Sequence, residues 1–361
     1  MKRHNKIIIV TTLFVALLAL CVRSFCAEEI ASTDIFVGGE SGYAIYRIPA
    51  LVVTAKGTIL AFAEARKNGP ADSGDIDLVV RRSFDNGATW EPQRLVFEDG
   101  AHTIGNPSPV VDRETGAIIL TFNRDNTDVL VTRSEDDGAT WSAPADITKD
   151  VTPAGWDWYA MGPGHAIQLR SGRLLVPCDH KEKNVQYSHV IFSDDGGKTW
   201  KPGGSLPKQT DEATAVELED GSVMINMRNY YMRGMRAVAV SKDAGLTWSK
   251  IIFARDLIEP VCEGSILRYT AAKTNRVNRL LFSNPASRVR EKMTVKISYD
   301  EGKTWPASKL INAGRSGYSD LVALPDLSVG IIYENGKKDY YEKITFARFT
   351  LNWLTDGKDK L

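Results

Sequence analysis

Cysteine is scarce: Cys21, Cys26, Cys178 and Cys262 are the only four in 361 residues, which excludes a disulfide-stapled fold. Neither Cys178 nor Cys262 lies at metal-ligand spacing from a second Cys or a His, and His102, His165, His180 and His189 form no zinc pattern. Neither a metal nor another cofactor is therefore expected. An excess of one charge is missing too, because 45 Lys and Arg balance 45 Asp and Glu. That balance excludes a nucleic-acid footprint and a polybasic membrane surface. Linkers and low-complexity tracts are absent, and the one long apolar run, residues 7–20, is too short to span a bilayer comfortably. With 43% hydrophobic residues the chain can bury a large core, and a single domain over residues 27–361 is expected.

Lys2, Arg3 and Lys6 precede that apolar run, and Ser24-Phe25-Cys26-Ala27 follows it as a small-residue cleavage region. This pattern predicts a signal peptide over residues 1–26 and a secreted or periplasmic domain. An uncleaved anchor, or a lipoprotein attached at Cys21 after Leu18-Ala19-Leu20, are the other readings. Removing the segment takes away Lys2, Arg3, Lys6 and Arg23 and no acid, so the remainder is net acidic by four charges. Cys178 and Cys262 would remain, on different predicted sheets, and are expected as two partly buried thiols, a disulfide being the other reading if the ring brings them together.

What is abundant is a repeat. Ser-x-Asp-x-Gly-x-Thr-Trp occurs five times, beginning at Ser83, Ser134, Ser193, Ser241 and Ser298, at intervals of roughly fifty to sixty residues. Chemically it is a tight turn in which the Asp accepts turn amides, the Gly takes a positive φ and the Trp packs beneath. Its aspartates are therefore structural. A short β-rich run precedes each box, and a hairpin precedes that run. The second strands of these hairpins are predicted at 58–63, 117–122, 173–177, 222–227, 279–282 and 327–333. Six such strands predict an all-β, six-bladed propeller of four-stranded antiparallel blades, with residues 344–351 as outer strands closing the ring.

In such a blade the start of strand one, the end of strand two and the start of strand three share one rim, and the box lies on the other. The functional rim therefore gathers Tyr46-Arg47-Ile48-Pro49, Glu64-Ala65-Arg66, Asp72-Ser73-Gly74-Asp75, Asp211-Glu212, Arg228-Asn229, Arg288-Val289-Arg290, Gly317-Tyr318 and Glu334-Asn335. Several arginines converging from separate blades suit a carboxylate-bearing ligand, because guanidinium binds carboxylate bidentately.

Tyr46-Arg47-Ile48-Pro49, the boxes, Asn106-Pro107-Ser108-Pro109, Gly162-Pro163-Gly164-His165 and Asn226-Met227-Arg228-Asn229, in that order, resemble the exo-α-sialidases of the bacterial and animal type. The resemblance covers nearly the whole of residues 27–361. It implies release of terminal α-linked sialic acid from sialylated glycans, with Arg47, Arg228 and either Arg290 or Arg288, Arg290 preferred, holding the sugar carboxylate. It implies Asp72, or less readily Asp75, as acid/base, Glu212 and Tyr318 as the base and nucleophile pair, and Arg66 as an additional pocket arginine.

The chemistry accounts for these residue types. Sialic acid carries its carboxylate on the anomeric carbon, so an anionic nucleophile would meet like charge and a neutral phenol does not. A phenol of pKa near 10 needs a base, which Glu212 supplies. Asp72 needs a raised pKa from burial or from loss of solvent on binding. Trp156 and Trp158, outside the boxes, either line the pocket or pack between blades. A noncatalytic sialoglycan-binding propeller, an enzyme for another nonulosonic acid and a sialyl transferase share these features. Linkage preference and oligomeric state are not legible.

Overall fold

A computed structural model describes residues 30–274 and 276–361; the expected leader, with Cys21 and Cys26, lies outside them. Regular structure among the described residues is almost entirely antiparallel sheet, with single-turn helices at Thr148–Val151 and Leu351–Leu354. None of the described helices is long and apolar enough to cross a membrane.

Four sheets stand alone and follow chain order. The first is Ile45–Val53, Ile59–Arg66, Ile76–Ser83 and Arg94–Phe97; the second is Ile104–Val111, Ile118–Arg124, Asp128–Ser134 and Ala145–Asp146. In the third, two short pieces, Trp158–Met161 and Ile167–Gln168, both pair with Leu174–Glu182, followed by Val185–Ser193 and Lys201–Pro202. Gly162-Pro163-Gly164-His165 interrupts that first strand. The fourth is Thr210–Glu217, Val223–Asn229, Met235–Ser241 and Ile252–Ile258.

The remaining described strands form one seven-stranded sheet, so the expected six separate blades are five hydrogen-bonded sheets in a propeller-like arrangement. The cause is the 17-residue strand Ala307–Ala323. Its first half pairs with Glu291–Ser298 and its second half with Val329–Gly336, Arg315 meeting both neighbours. Separate four-stranded blades would need two strands here, the outer strand of one blade and the inner strand of the next. Closure differs as well. Lys343–Phe349 is a single strand, the chain then turns into the helix at Leu351, and the outer place is filled by Ala31–Val37, antiparallel to Lys343–Phe349.

The boxes fold as their chemistry requires. Asp85 Oδ1 accepts the Thr89 amide at 2.8 Å, Asp85 Oδ2 accepts the Thr89 hydroxyl at 2.6 Å, and the Gly87 amide donates to Ser83 Oγ at 2.9 Å. The same bonds recur around Asp136, Asp195, Asp243 and Asp300. The Thr140 hydroxyl and amide pull the Asp136 carboxyl down to about 2. Gly87 has φ +85, and an added Cβ would collide with the Phe346 ring; Gly138 likewise abuts Leu60, Gly245 abuts Leu175 and Gly302 abuts Met224. Each box therefore plugs into the preceding sheet.

Apolar side chains form five layers between adjacent sheets, one of which joins Phe36, Val322, Ile332 and Phe346 to Leu51 and Ile59, and a sixth within the seven-stranded sheet around Leu281, Val295 and Leu321. Each fully buried Val, Leu, Ile or Phe contributes about 1.5–3 kcal/mol. Cys178 and Cys262 are free and wholly buried, deeper than expected. At the centre, Asp320 accepts the Leu51 amide at 2.8 Å, the His165 amide at 3.0 Å and the Ser265 hydroxyl at 2.8 Å, tying three sheets to one carboxylate. Ser83 pairs with Ile59 at one end of the first sheet, while Arg66 pairs with Ile45 and Ile76 at the other, so boxes and candidate site occupy opposite rims.

Candidate active site

Inner strands carry a defect that aims side chains. One extra residue interrupts the ladder between Arg47 and Ala50, between Thr210 and Ala213, and between Ser316 and Ser319, as it does between Gly105 and Ser108. A bulge breaks the two-residue alternation and bends the strand, re-aiming its side chains. Arg47, Glu212 and Tyr318 all sit at such bulges. Ile48 takes φ +56, an outlier for a β-branched residue, and its amide thereby donates to Glu334 Oε1 at 3.0 Å.

Five of the expected residues converge. The Tyr318 hydroxyl donates to Glu212 Oε1 in a very short hydrogen bond. Arg228 Nη1 donates to Glu212 Oε2 at 2.7 Å and to the Tyr318 hydroxyl at 3.0 Å. The Arg47 and Arg290 guanidinium carbons lie 5.2 and 5.4 Å from the Tyr318 ring centre. Arg290 is also anchored by a 3.2 Å bond from Nη2 to the Val261 carbonyl. Arg288, by contrast, is exposed and lies against Gly234, which favours Arg290 as the third cation. Tyr318 is only 5% exposed. Burial, then the Glu212 charge, pushes its phenol far up, and Arg228, Arg290 and Arg47 pull it part of the way back. The pair is thus a neutral phenol against a carboxylate, with cations placed to stabilise a phenolate.

Asp72 sits beside the cluster on the loop after the first hairpin. Its Oδ1 accepts from Arg66 Nη1 at 2.8 Å and from Arg47 Nη1 at 3.2 Å, while its side chain is 79% exposed. Partial burial works to raise this carboxyl, but Arg66 and then Arg47 outweigh it and hold it below the usual carboxylate range. That is opposite to the direction an acid catalyst needs, and the cause is the ion pairing of Asp72 with Arg66 and Arg47. Asp75 turns away to Lys67 Nζ at 2.7 Å. Arg66 is fully buried; it donates to Glu64 and to the Pro70 and Ala71 carbonyls, so it shapes the loop that carries Asp72.

Several partners were not assigned roles from the sequence. Glu334 accepts from Arg47 Nε at 3.1 Å and Nη2 at 3.3 Å, and from the Tyr318 amide at 3.1 Å. Tyr340 lies against Arg47 and Arg290, 5.7 and 4.9 Å from its ring centre. Position on the functional rim pointed to Glu334; nothing pointed to Tyr340, which lies in a loop beyond the last predicted hairpin. Trp156 stacks on His180 with ring centres 3.4 Å apart and joins the core between the second and third sheets. Trp158 packs against the Lys181 ammonium at 4.7 Å.

The arrangement is a cationic mouth with a base-paired phenol at its floor and a carboxylate at its edge. A family model described as a BNR repeat-like domain matches residues 57–333. The chain is 35% identical over 382 residues to an exo-alpha-sialidase of Aspergillus fumigatus, an alignment covering 92% of this chain and 90% of the relative. It is 38% identical over 353 residues to a sialidase of Micromonospora viridifaciens, covering 89% of this chain and 54% of that protein, so it spans about half the length of that relative. Among solved structures, the Hadza microbial sialidase Hz136 matches with a TM-score of 0.83 at 33% identity, over 90% of this chain and 69% of that one. These relatives, and the Aspergillus protein matched nearly end to end above all, establish that the chain belongs to the exo-α-sialidase family of glycoside hydrolases.

Proposed function

We propose that this protein is an exported exo-α-sialidase that hydrolyses terminal α-linked sialic acid from glycoproteins, glycolipids and oligosaccharides, with retention through a tyrosyl-enzyme intermediate. The observation that carries the reading is the Tyr318 hydroxyl bonded to Glu212 with Arg228 Nη1 on both. In this mechanism Arg47, Arg228 and Arg290 hold the sugar carboxylate and so orient the anomeric carbon over Tyr318. The carboxylate competes with Asp72 for Arg47, and loss of that ion pair together with loss of solvent raises the Asp72 pKa toward the range of a proton donor. The Tyr318 oxygen then attacks the anomeric carbon as its proton passes to Glu212, while Asp72 protonates the departing glycosidic oxygen. In the second step Asp72 takes a proton from water, the water oxygen attacks the anomeric carbon, and Tyr318 leaves and recovers its proton from Glu212. Arg66 keeps the Asp72 loop in reach.

The same reading divides the seven-stranded sheet into two blades that share Ala307–Ala323, giving six; the six interleaved apolar layers support that division. The basic and apolar leader of residues 1–26 supports export.

The test is turnover of a fluorogenic sialoside, with the anomer of the first-formed product read by NMR. Tyr318→Phe and Asp72→Asn should each stay folded and lose several orders of magnitude in rate, and the α-anomer should appear first. Wild-type rates in Tyr318→Phe, or β-anomer appearing first, would refute the mechanism.

A further inference from the structure

Arg228 is gripped from two sides, and the mechanism above uses one. Nη1 faces Glu212 and Tyr318, whereas Nη2 donates to the Tyr230 hydroxyl at 2.7 Å and Nε faces Asp211 Oδ2 at 3.6 Å. Asp211 also adjoins the Tyr230 hydroxyl. The guanidinium therefore lies between two acid and tyrosine pairs, Glu212 with Tyr318 and Asp211 with Tyr230. Successive residues of a regular strand point to opposite faces, so Asp211 and Glu212 reach one guanidinium only because of the bulge between Thr210 and Ala213.

The second pair has a backing of its own. Asp179 is fully buried, and among the described residues no N–H or O–H reaches either of its oxygens. Its neighbour is the Asp211 carboxylate, so a proton held on Asp179 is the means by which the two acids can bond. Burial, then the charges of Asp211 and Glu212, pushes Asp179 far above the usual carboxylate range, in keeping with that proton.

A guanidinium bonded through one nitrogen can pivot about it; bonded through two, its plane is fixed. We propose that Tyr230 and Asp211 are positioning residues, which lock Arg228 so that its remaining Nη2 hydrogen faces the mouth while Nη1 stays on Glu212 and Tyr318. This rests on the sialidase reading. It assigns Tyr230 a role in binding the substrate carboxylate without contact to the reacting atoms.

The experiment is a double-mutant cycle on a fluorogenic sialoside, with folding followed by thermal denaturation. Tyr230→Phe keeps the ring and removes the acceptor, and kcat/KM is expected to fall about tenfold, the order of one hydrogen bond to a charged group. Most of the loss should appear in KM, because the carboxylate contact is made in ground and transition states alike. In an Arg228→Lys background the same change should alter kcat/KM by less than about twofold, since its target is gone. Wild-type kinetics in Tyr230→Phe, or an equal loss in both backgrounds, overturns the proposal. If Tyr230→Phe does not fold, Asp211→Asn is expected to raise KM several-fold, and a wild-type KM there overturns it equally. An inactive wild-type protein would sink the sialidase reading itself; an active one with an unaffected Tyr230→Phe variant would sink this inference alone.

Discussion

Replacing Glu212 by Gln isolates the base. Gln keeps the shape and retains an oxygen for Arg228 Nη1, now 2.7 Å from Glu212 Oε2, but it cannot take the Tyr318 proton. A phenol of ordinary pKa is ionised in about one molecule per thousand at pH 7, and Tyr318 is pushed above that value by burial and by Glu212. Removing a positioned base typically forfeits about 10²–10⁴ in rate, and kcat for Glu212→Gln at pH 7 should fall by that factor. The change also removes the anion that opposes phenolate formation, while Arg228, Arg290 and Arg47 stay to stabilise it. The variant should therefore recover with rising pH, by about tenfold per unit for a single ionisation. Single-turnover fluorogenic assays across pH, with thermal midpoints to establish folding, read both quantities. An unchanged kcat at pH 7, or a residual rate that does not climb with pH, would refute the base assignment.

Glu334 is wholly buried and holds Arg47, so Glu334→Ala should destabilise by about 3–5 kcal/mol, the usual consequence of orphaning a buried charge, as measured by urea unfolding. Gly87→Ala forces a Cβ into the Phe346 ring at φ +85 and should lower stability by about 1–3 kcal/mol without changing kcat/KM, because the box lies on the opposite rim. Burial holds the His180 imidazole down at about 4 from 6.5, and burial with His180 nearby holds His189 well below its ordinary value too. The unfolded chain binds protons below 6.5 that folded His180 refuses until about 4, so the contribution of this imidazole to stability should fall as pH drops through that window. His165, raised by Asp320, and the carboxyls of Asp179, Glu259 and Glu263, raised by burial, act in the opposite sense, so the histidine effect is the difference between the wild-type protein and His180→Phe. Urea midpoints that fall no more steeply on acidification in the wild-type protein than in His180→Phe would contradict this.

Local chemistry was legible and long-range geometry was not. The box signature encodes its own hydrogen bonds, because Ser83, Asp85, Gly87 and Thr89 satisfy one another within a few residues. Arg47, Arg228, Glu212 and Tyr318 were identified because rim position and family resemblance coincide on them. The bulges that aim three of these side chains left no trace in an alternation pattern, since an extra residue looks the same as a shifted register. The continuity of Ala307–Ala323 was not legible because it is set by pairing with a different neighbour at each end, which no local pattern records. The Asp72 pairing with Arg66 and Arg47 was also invisible, and it reverses the expected direction of the Asp72 pKa.

Pairing of Ala31–Val37 with Lys343–Phe349 means that the first and last strands are zipped side by side. A nascent chain holds Arg47 early, but its partner Glu334 and the phenol of Tyr318 arrive only with the seven-stranded sheet. The proposed catalytic centre therefore cannot assemble before the strand Val329–Gly336 has been made, and a truncated product lacking residues 343–349 would lose its clasp and its activity together. Joining the termini by a short tether and reopening the chain at a turn between boxes should, for the same reason, yield a permuted protein that works.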